Sequence, residues 1–246
     1  MFGKVEKELM KNCFKVAAVA SLLAGSGVVN AEVSGNVAMA TDYMFRGVSQ
    51  TDNQMALQGG FDWSHASGFY VGTWASNVAP AFFSGGGNDP QLEVDVYAGY
   101  AGEAGAISYD VGVLRYNYTG YGDADTTEIY FGGSYGFGDS ASVGVTFYYS
   151  PELNFVGVDD SAWYTDVSGE YSYQNFTFAA HIGFSSGDAY DNATYTTGYM
   201  DYSIGASTEA VGLGFDLSYI GTDNDGEKNF GGVADDRIVF TVSKSM

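Results

Sequence analysis

Residues 34–51 read SGNVAMATDYMFRGVSQT. Gly35, Val37, Met39, Thr41, Tyr43 and Phe45 hold one set of alternate positions, and Asn36, Ala38, Ala40, Asp42, Met44 and Arg46 hold the other. The first set is mostly apolar and ends in aromatics. The second is small or polar and carries both charges. Successive side chains of a strand point to opposite faces, so the pattern predicts a strand over residues 34–47 with one face for oil and one for water. The same alternation recurs over residues 55–64, 68–77, 91–101, 106–117, 126–137, 141–149, 162–173, 176–184, 199–208, 211–220 and 236–246. Each run is near the ~9–11 residues that a tilted membrane-spanning strand needs. Beyond residue 31 no apolar stretch is long enough for a transmembrane helix, and lipid tolerates no unpaired backbone groups. The chain is therefore expected to be all-β: a transmembrane antiparallel up-and-down β-barrel of about 12 strands, within roughly 10–14.

The connections sort by parity. Those after the second, fourth, sixth, eighth and tenth strands are short, at 65–67, 102–105, 138–140, 174–175 and 209–210. Most of the others are long and polar, at 78–90, 118–125, 150–161, 185–198 and 221–235. Outer-membrane barrels alternate short periplasmic turns with longer external loops in this way. Both chain ends then fall on the periplasmic side. Aromatics of the apolar face cluster at strand ends. Tyr43, Phe45, Tyr149, Trp163, Phe184, Tyr202 and Tyr219 are expected at the outer rim, and Trp63, Phe69, Tyr100, Tyr109, Tyr135, Tyr171 and Phe176 at the inner one. Amphipathic rings favour such interfacial belts.

Composition agrees with a barrel: 35 Gly, 20 Tyr and 17 Phe against 3 Pro suit strands and tight turns. Residues 1–31 read as a secretory signal peptide. Lys4, Lys7, Lys11 and Lys15 precede an apolar run over 16–29, and Val29-Asn30-Ala31 fits the small-x-small cleavage pattern. Met10 would give a tidier start. The run falls short of the ~20 apolar residues of a spanning helix. Residues 32–246 are then one barrel domain. Cys13, the single cysteine, lies in the leader, which excludes disulfides and thiol catalysis from the mature chain. The net charge is −21, and −23 without the leader's four Lys and two Glu. Nucleic acid is excluded as a partner, because binding phosphate needs a basic surface. Cations and cationic solutes are favoured; the same charge would also serve solubility or a salty habitat.

DYMFRGVSQT (residues 42–51), ALQGGFDWSHASGFYVGTWASNV (56–78) and LEVDVYAGYAGE (92–103) resemble the TorF-type porins, proteobacterial outer-membrane proteins also described as the Gcw_chp family. The resemblance spans nearly the whole mature chain and is most specific in its first third. It implies a barrel with a porin role, and brings no substrate or catalytic residues with it. Such barrels usually finish on an aromatic that the assembly machinery reads. Here the end is Ser243-Lys244-Ser245-Met246. Met246 is apolar and in phase with Phe240 and Val242, so assembly is expected to survive.

Charges on the lipid face are costly, so the acids of the wet face should point inward. Asp42, Asp62, Glu93, Asp95, Asp110, Glu128, Asp166, Glu170 and Asp216, with Arg46 and Arg237, are the expected pore-lining residues. An acidic, water-filled lumen favours cations. A narrow or plugged barrel with paired acids is the competing view. Many inward positions are Gly, Ala or Ser, which leaves room for water. Arg46 and Arg237 should lie close together beside the closing seam, with Asp42 and Asp62 as candidate partners. They would form either a constriction of opposed charges or a salt-bridge network tying the seam. Arg115 is in phase with Val113 and should snorkel at the outer rim.

No enzyme is predicted. His65 sits in a short turn, and His181 points inward with no serine that it clearly activates. Residues 223–227 (DNDGE) open like a calcium loop but lack its later bidentate Glu, so no metal is assigned. The Gly85–Gly87 run is loop punctuation without a following helix. No cofactor is expected. The expectation is an outer-membrane passive channel of a Gram-negative bacterium for small hydrophilic solutes, leaning toward cations. Its expected partners are membrane lipid, lipopolysaccharide and the barrel assembly machinery, with an oligomer open. The alternatives are a structural or adhesive barrel with acidic external loops and a barrel-embedded hydrolase.

Overall fold

The computed structural model describes residues 31–79, 90–192, 194–195 and 197–246. Residues 1–30 of the expected leader and the Gly85–Gly87 run lie outside the described residues. Twelve strands close into an antiparallel barrel in the order β1-β14-β13-β12-β11-β10-β9-β8-β7-β6-β5-β4. They are β1 (Glu32–Ala40), β4 (Ala56–Ser64), β5 (Phe69–Asn77), β6 (Leu92–Ala104), β7 (Ile107–Tyr118), β8 (Thr126–Gly136), β9 (Ala141–Ser150), β10 (Ala162–Tyr173), β11 (Phe176–Ser186), β12 (Tyr199–Ala210), β13 (Leu213–Thr222) and β14 (Arg237–Ser245). A separate two-stranded ribbon pairs β2 (Met44–Phe45) with β3 (Val48–Ser49). One short helix, α1 (Asn224–Phe230), caps a loop between β13 and β14, with Asp223 accepting from the amides of Asp225 and Gly226 at its start.

The alternation sets which face each side chain takes. Phe131 is 57% exposed while its neighbour Tyr130 is 1% exposed. Leu57, Phe61, Val96, Val113, Ile129, Val167, Ile204 and Ile238 are likewise exposed, in a belt around the outside. Cross-strand partners share a face, as with Val111 and Phe131 or Val167 and Val145. The short connections all lie at one end of the barrel and the long ones at the other, as parity predicts. At the short-turn end Gly68, Gly105, Gly138 and Gly212 take positive φ, the backbone geometry that tight turns demand.

The first strand departs from expectation. It ends at Ala40 instead of residue 47; residues 42–51 leave the wall and fold into the lumen, and the exposed residues 52–55 lead back to β4. Thr41 is the last residue to bond the wall, its amide reaching the Phe240 carbonyl at 3.0 Å. The chain then reverses at Arg46 and Gly47, with φ of 50° and 77°. Tyr43 and Phe45 therefore belong to no outer belt: Tyr43 is 4% exposed and packs inside. Trp163, Phe184 and Tyr219 do face outward at the long-loop end, as expected.

Four lumenal glycines make room for rings, not water. A Cβ on Gly72 would strike the Tyr97 ring, one on Gly99 the Tyr70 hydroxyl, one on Gly112 the Tyr130 hydroxyl and one on Gly183 the Tyr164 hydroxyl. The first three tyrosines sit directly across the ladder from their glycines. The long-loop half of the interior is consequently a packed core, with Tyr116, Tyr118, Tyr130, Tyr148, Tyr164, Tyr190 and Tyr199 buried in it. The other half is lined by small and acidic side chains.

If the outer belt contacts hydrocarbon, Phe131→Arg at the middle of β8 should cost about 2–4 kcal/mol, and Tyr135→Arg near its end about 0–1 kcal/mol. Urea unfolding in phosphatidylcholine vesicles measures both.

Candidate functional site: the inward-folded segment and its wall

The ribbon tip reaches the far wall of the lumen. The Arg46 Nη2 donates to both carboxylate oxygens of Glu128, at 2.9 and 2.7 Å. The two side chains are only 7% and 1% exposed. Tyr116 donates to Glu128 Oε2 at 2.9 Å and Ser150 to Oε1 at 2.7 Å. The guanidinium lies 4.1 Å from the centre of the Tyr164 ring, 4.7 Å from Phe45 and 5.5 Å from Tyr148. Cation and anion are thus both desolvated, and each is compensated by polar or π partners.

The segment is held at four further points. Tyr199 donates from its hydroxyl to the Arg46 carbonyl at 3.0 Å. Gly47 passes so close to β12 and β13 that a Cβ there would lie 2.5 Å from Thr222 Cγ2 and 2.9 Å from Asp201 Cβ. Tyr43 donates to Glu93 at 2.8 Å and meets the Trp74 ring edge-on at 5.3 Å. At its base, Asp42 accepts from Ser49 at 2.6 Å, Thr51 at 2.8 Å and Arg237 at 2.8 Å. Arg237 also bonds Asn53 and the Gly232 carbonyl.

The sequence-predicted residues divide into two groups. Asp42, Arg46, Glu93, Asp95 and Glu128 are buried, around the inserted segment. Asp62, Asp110, Asp166, Glu170, Asp216 and Arg237 are half-buried. Several have wall partners: Tyr97 donates to Asp62, Tyr70 to Asp110 at 2.7 Å, and Ser218 to Asp216 at 2.7 Å. Arg46 and Arg237 do not share the seam acids as expected. Of the two arginines Asp42 takes only Arg237, whereas Arg46 crosses to Glu128 and Asp62 accepts from Tyr97. Arg46 thus braces the segment against β8, and Arg237 of β14 pairs with Asp42 just past β1. Arg115 stays on the outside and pairs with Asp125 at 3.2 Å.

Sequence reasoning missed Asp201, which is fully buried on β12. His181 bridges it to Asp166, with Nδ1 2.8 Å from Asp166 and Nε2 3.4 Å from Asp201. Its phase with Ser203 in β12 was the available signal. It also missed the tyrosine cage, whose inward phase was readable but whose fit into lumenal glycines depends on register.

Breaking one partner of a desolvated pair strands the other charge. Glu128→Gln should cost about 3–5 kcal/mol, and Arg46→Ala combined with it should recover part of the loss. Unfolding of the three variants measures this, and amide hydrogen exchange over residues 42–51 should rise in Glu128→Gln.

Comparison with known proteins places the fold. The NanC porin superposes with a TM-score of 0.56 at 13% identity, over 86% of this chain and 98% of that one. The KdgM porin, solved with disordered oligogalacturonate, superposes with a TM-score of 0.54 at 9% identity, over 88% and 98%. No curated protein matches in sequence. A family profile described as a bacterial protein of unknown function (Gcw_chp) matches residues 24–246. The chain, a closed barrel braced across its lumen by Arg46, belongs to the Gcw_chp family.

Proposed function

We propose that the protein is a porin-like channel of the outer membrane of a Gram-negative bacterium, leaning toward cations and closed at rest by residues 42–51. The observation that carries the reading is the division of the lumen. Half-buried acids, Asp62, Asp110, Asp166, Glu170 and Asp216, occupy inward positions away from the inserted segment, whose residues 42–51 pack among the buried tyrosines at the long-loop end. An acid-lined vestibule concentrates cations. The belt of exposed apolar side chains supports contact with membrane lipid. The fold shared with two porins supports passage of small hydrophilic solutes. Residues 42–103 favour the TorF-type branch of the family, in a proteobacterium.

In this reading the short turns face the periplasm and the long loops the exterior, where lipopolysaccharide would surround them. Residues 1–31 direct export, and the barrel assembly machinery inserts residues 32–246. His181 faces two carboxylates, an arrangement suited to charge neutralisation more than to activating a nucleophile. We therefore assign no enzymatic step.

Planar-bilayer recording of the refolded protein tests the proposal. The expected result is small steps with a reversal potential in a KCl gradient that shows cation preference. Asp110→Asn with Asp216→Asn should move that potential toward zero. Absence of steps in both wild type and Arg46→Ala would leave a structural barrel as the remaining reading.

A further inference from the structure

The Arg46 cage has a division of labour that a simple brace does not require. Every polar group that receives the guanidinium belongs to the wall. Glu128 is on β8, Tyr116 on β7, Tyr148 and Ser150 on β9, and Tyr164 on β10. These are four adjacent strands, and the ladder fixes their inward side chains: Tyr130 pairs with Tyr148, and Tyr148 with Tyr164. Glu128 is already oriented by Tyr116 and Ser150, both wall residues. The inserted segment contributes the cation and the Phe45 ring that covers it at 4.7 Å, and no polar partner. The wall therefore holds a preformed receptor, and the chain supplies its own ligand on a tether.

From this we infer that the Glu128 site is a guanidinium-binding site, filled at rest by Arg46 and able to take a guanidinium-bearing solute when the segment lifts. The inference rests on the channel reading for its role in transport, but the binding site itself does not. Its chemistry is selective. A planar guanidinium can lie on the Tyr164 face while its edge meets the carboxylate, whereas an ammonium is a compact, strongly hydrated point charge. A tethered arginine competes at an effective concentration on the order of millimolar or higher. The site should therefore be silent in the wild type at low ligand concentration and appear when Arg46 is removed.

The test is rescue of Arg46→Ala by methylguanidinium. The refolded variant in detergent micelles is titrated by calorimetry and thermal melting, and then recorded in planar bilayers. Methylguanidinium should bind with a dissociation constant on the order of millimolar, the strength open to so small a ligand. It should raise the melting temperature of the variant and not that of the wild type, and methylammonium should bind more weakly. In bilayers Arg46→Ala should conduct more than wild type, and methylguanidinium should return it toward the wild-type level. Adding Glu128→Gln should abolish both effects. Should Arg46→Ala not refold, Arg46→Gln, which keeps most of the aliphatic stem and loses the charge, takes its place. Binding that is absent, equal for methylammonium, or unchanged by Glu128→Gln overturns the site. Binding without any conductance in the variant would retain the site and remove the channel reading. Raised conductance without binding would do the reverse.

Discussion

A strand that faces hydrocarbon has no water to satisfy its backbone, so every amide and carbonyl must find a neighbouring strand. The rest of this structure follows from that demand. β1 pairs with β4 on one side and with β14 on the other, from Asn36 opposite Ser245 to Ala40 opposite Thr241. Gly35 and Met246 exchange two further backbone bonds, at 3.1 and 2.9 Å, so pairing runs to the chain's end. With the sheet closed, each residue has only two directions, oil or lumen. The acids go inward because the outward position is the costly one.

What fills the interior is a second consequence. A barrel of 12 strands leaves space inside, and here the space is taken up unevenly. Tyrosines lie over glycines of the neighbouring strand, and residues 42–51 complete the packing at the long-loop end. Burying Arg46 and Glu128 there forfeits their hydration, and such pairs are not by themselves stabilising. Compensation is nevertheless close to complete, from Tyr116, Ser150 and the faces of Tyr148 and Tyr164. The pair fixes where the segment sits more than how stable the barrel is.

The wall was legible in the sequence because a period of two survives whatever lies inside. β8 begins at Thr126, β10 spans Ala162–Tyr173 and β11 begins at Phe176, as the alternation places them. The same signal misled at residues 41–46. Thr41, Tyr43 and Phe45 look like a lipid face, yet a segment packed into a tyrosine-rich lumen also needs apolar side chains. The positive φ of Arg46 left no mark, since arginine is not a residue that announces a reversal. Nor could the partner of Arg46 be read, because Glu128 is 82 residues away and faces it across the lumen. The roles of Gly72, Gly99 and Gly112 were hidden for a related reason. Whether a small residue admits water or a ring depends on the neighbour opposite, which only register reveals.

The contact between Arg237 and Asp42 bears on the order of assembly. Eleven of the ladders join strands consecutive around a meander and can zip up hairpin by hairpin, whereas β1 with β14 joins the two ends of the chain. The loop that becomes the plug follows the first strand, and the arginine that grips its base opens the last. The last strand's arginine therefore ties the base of the loop to the closing seam, and a barrel shut without the loop would leave it only the carbonyls of its own turn, Gly232 and Asp235.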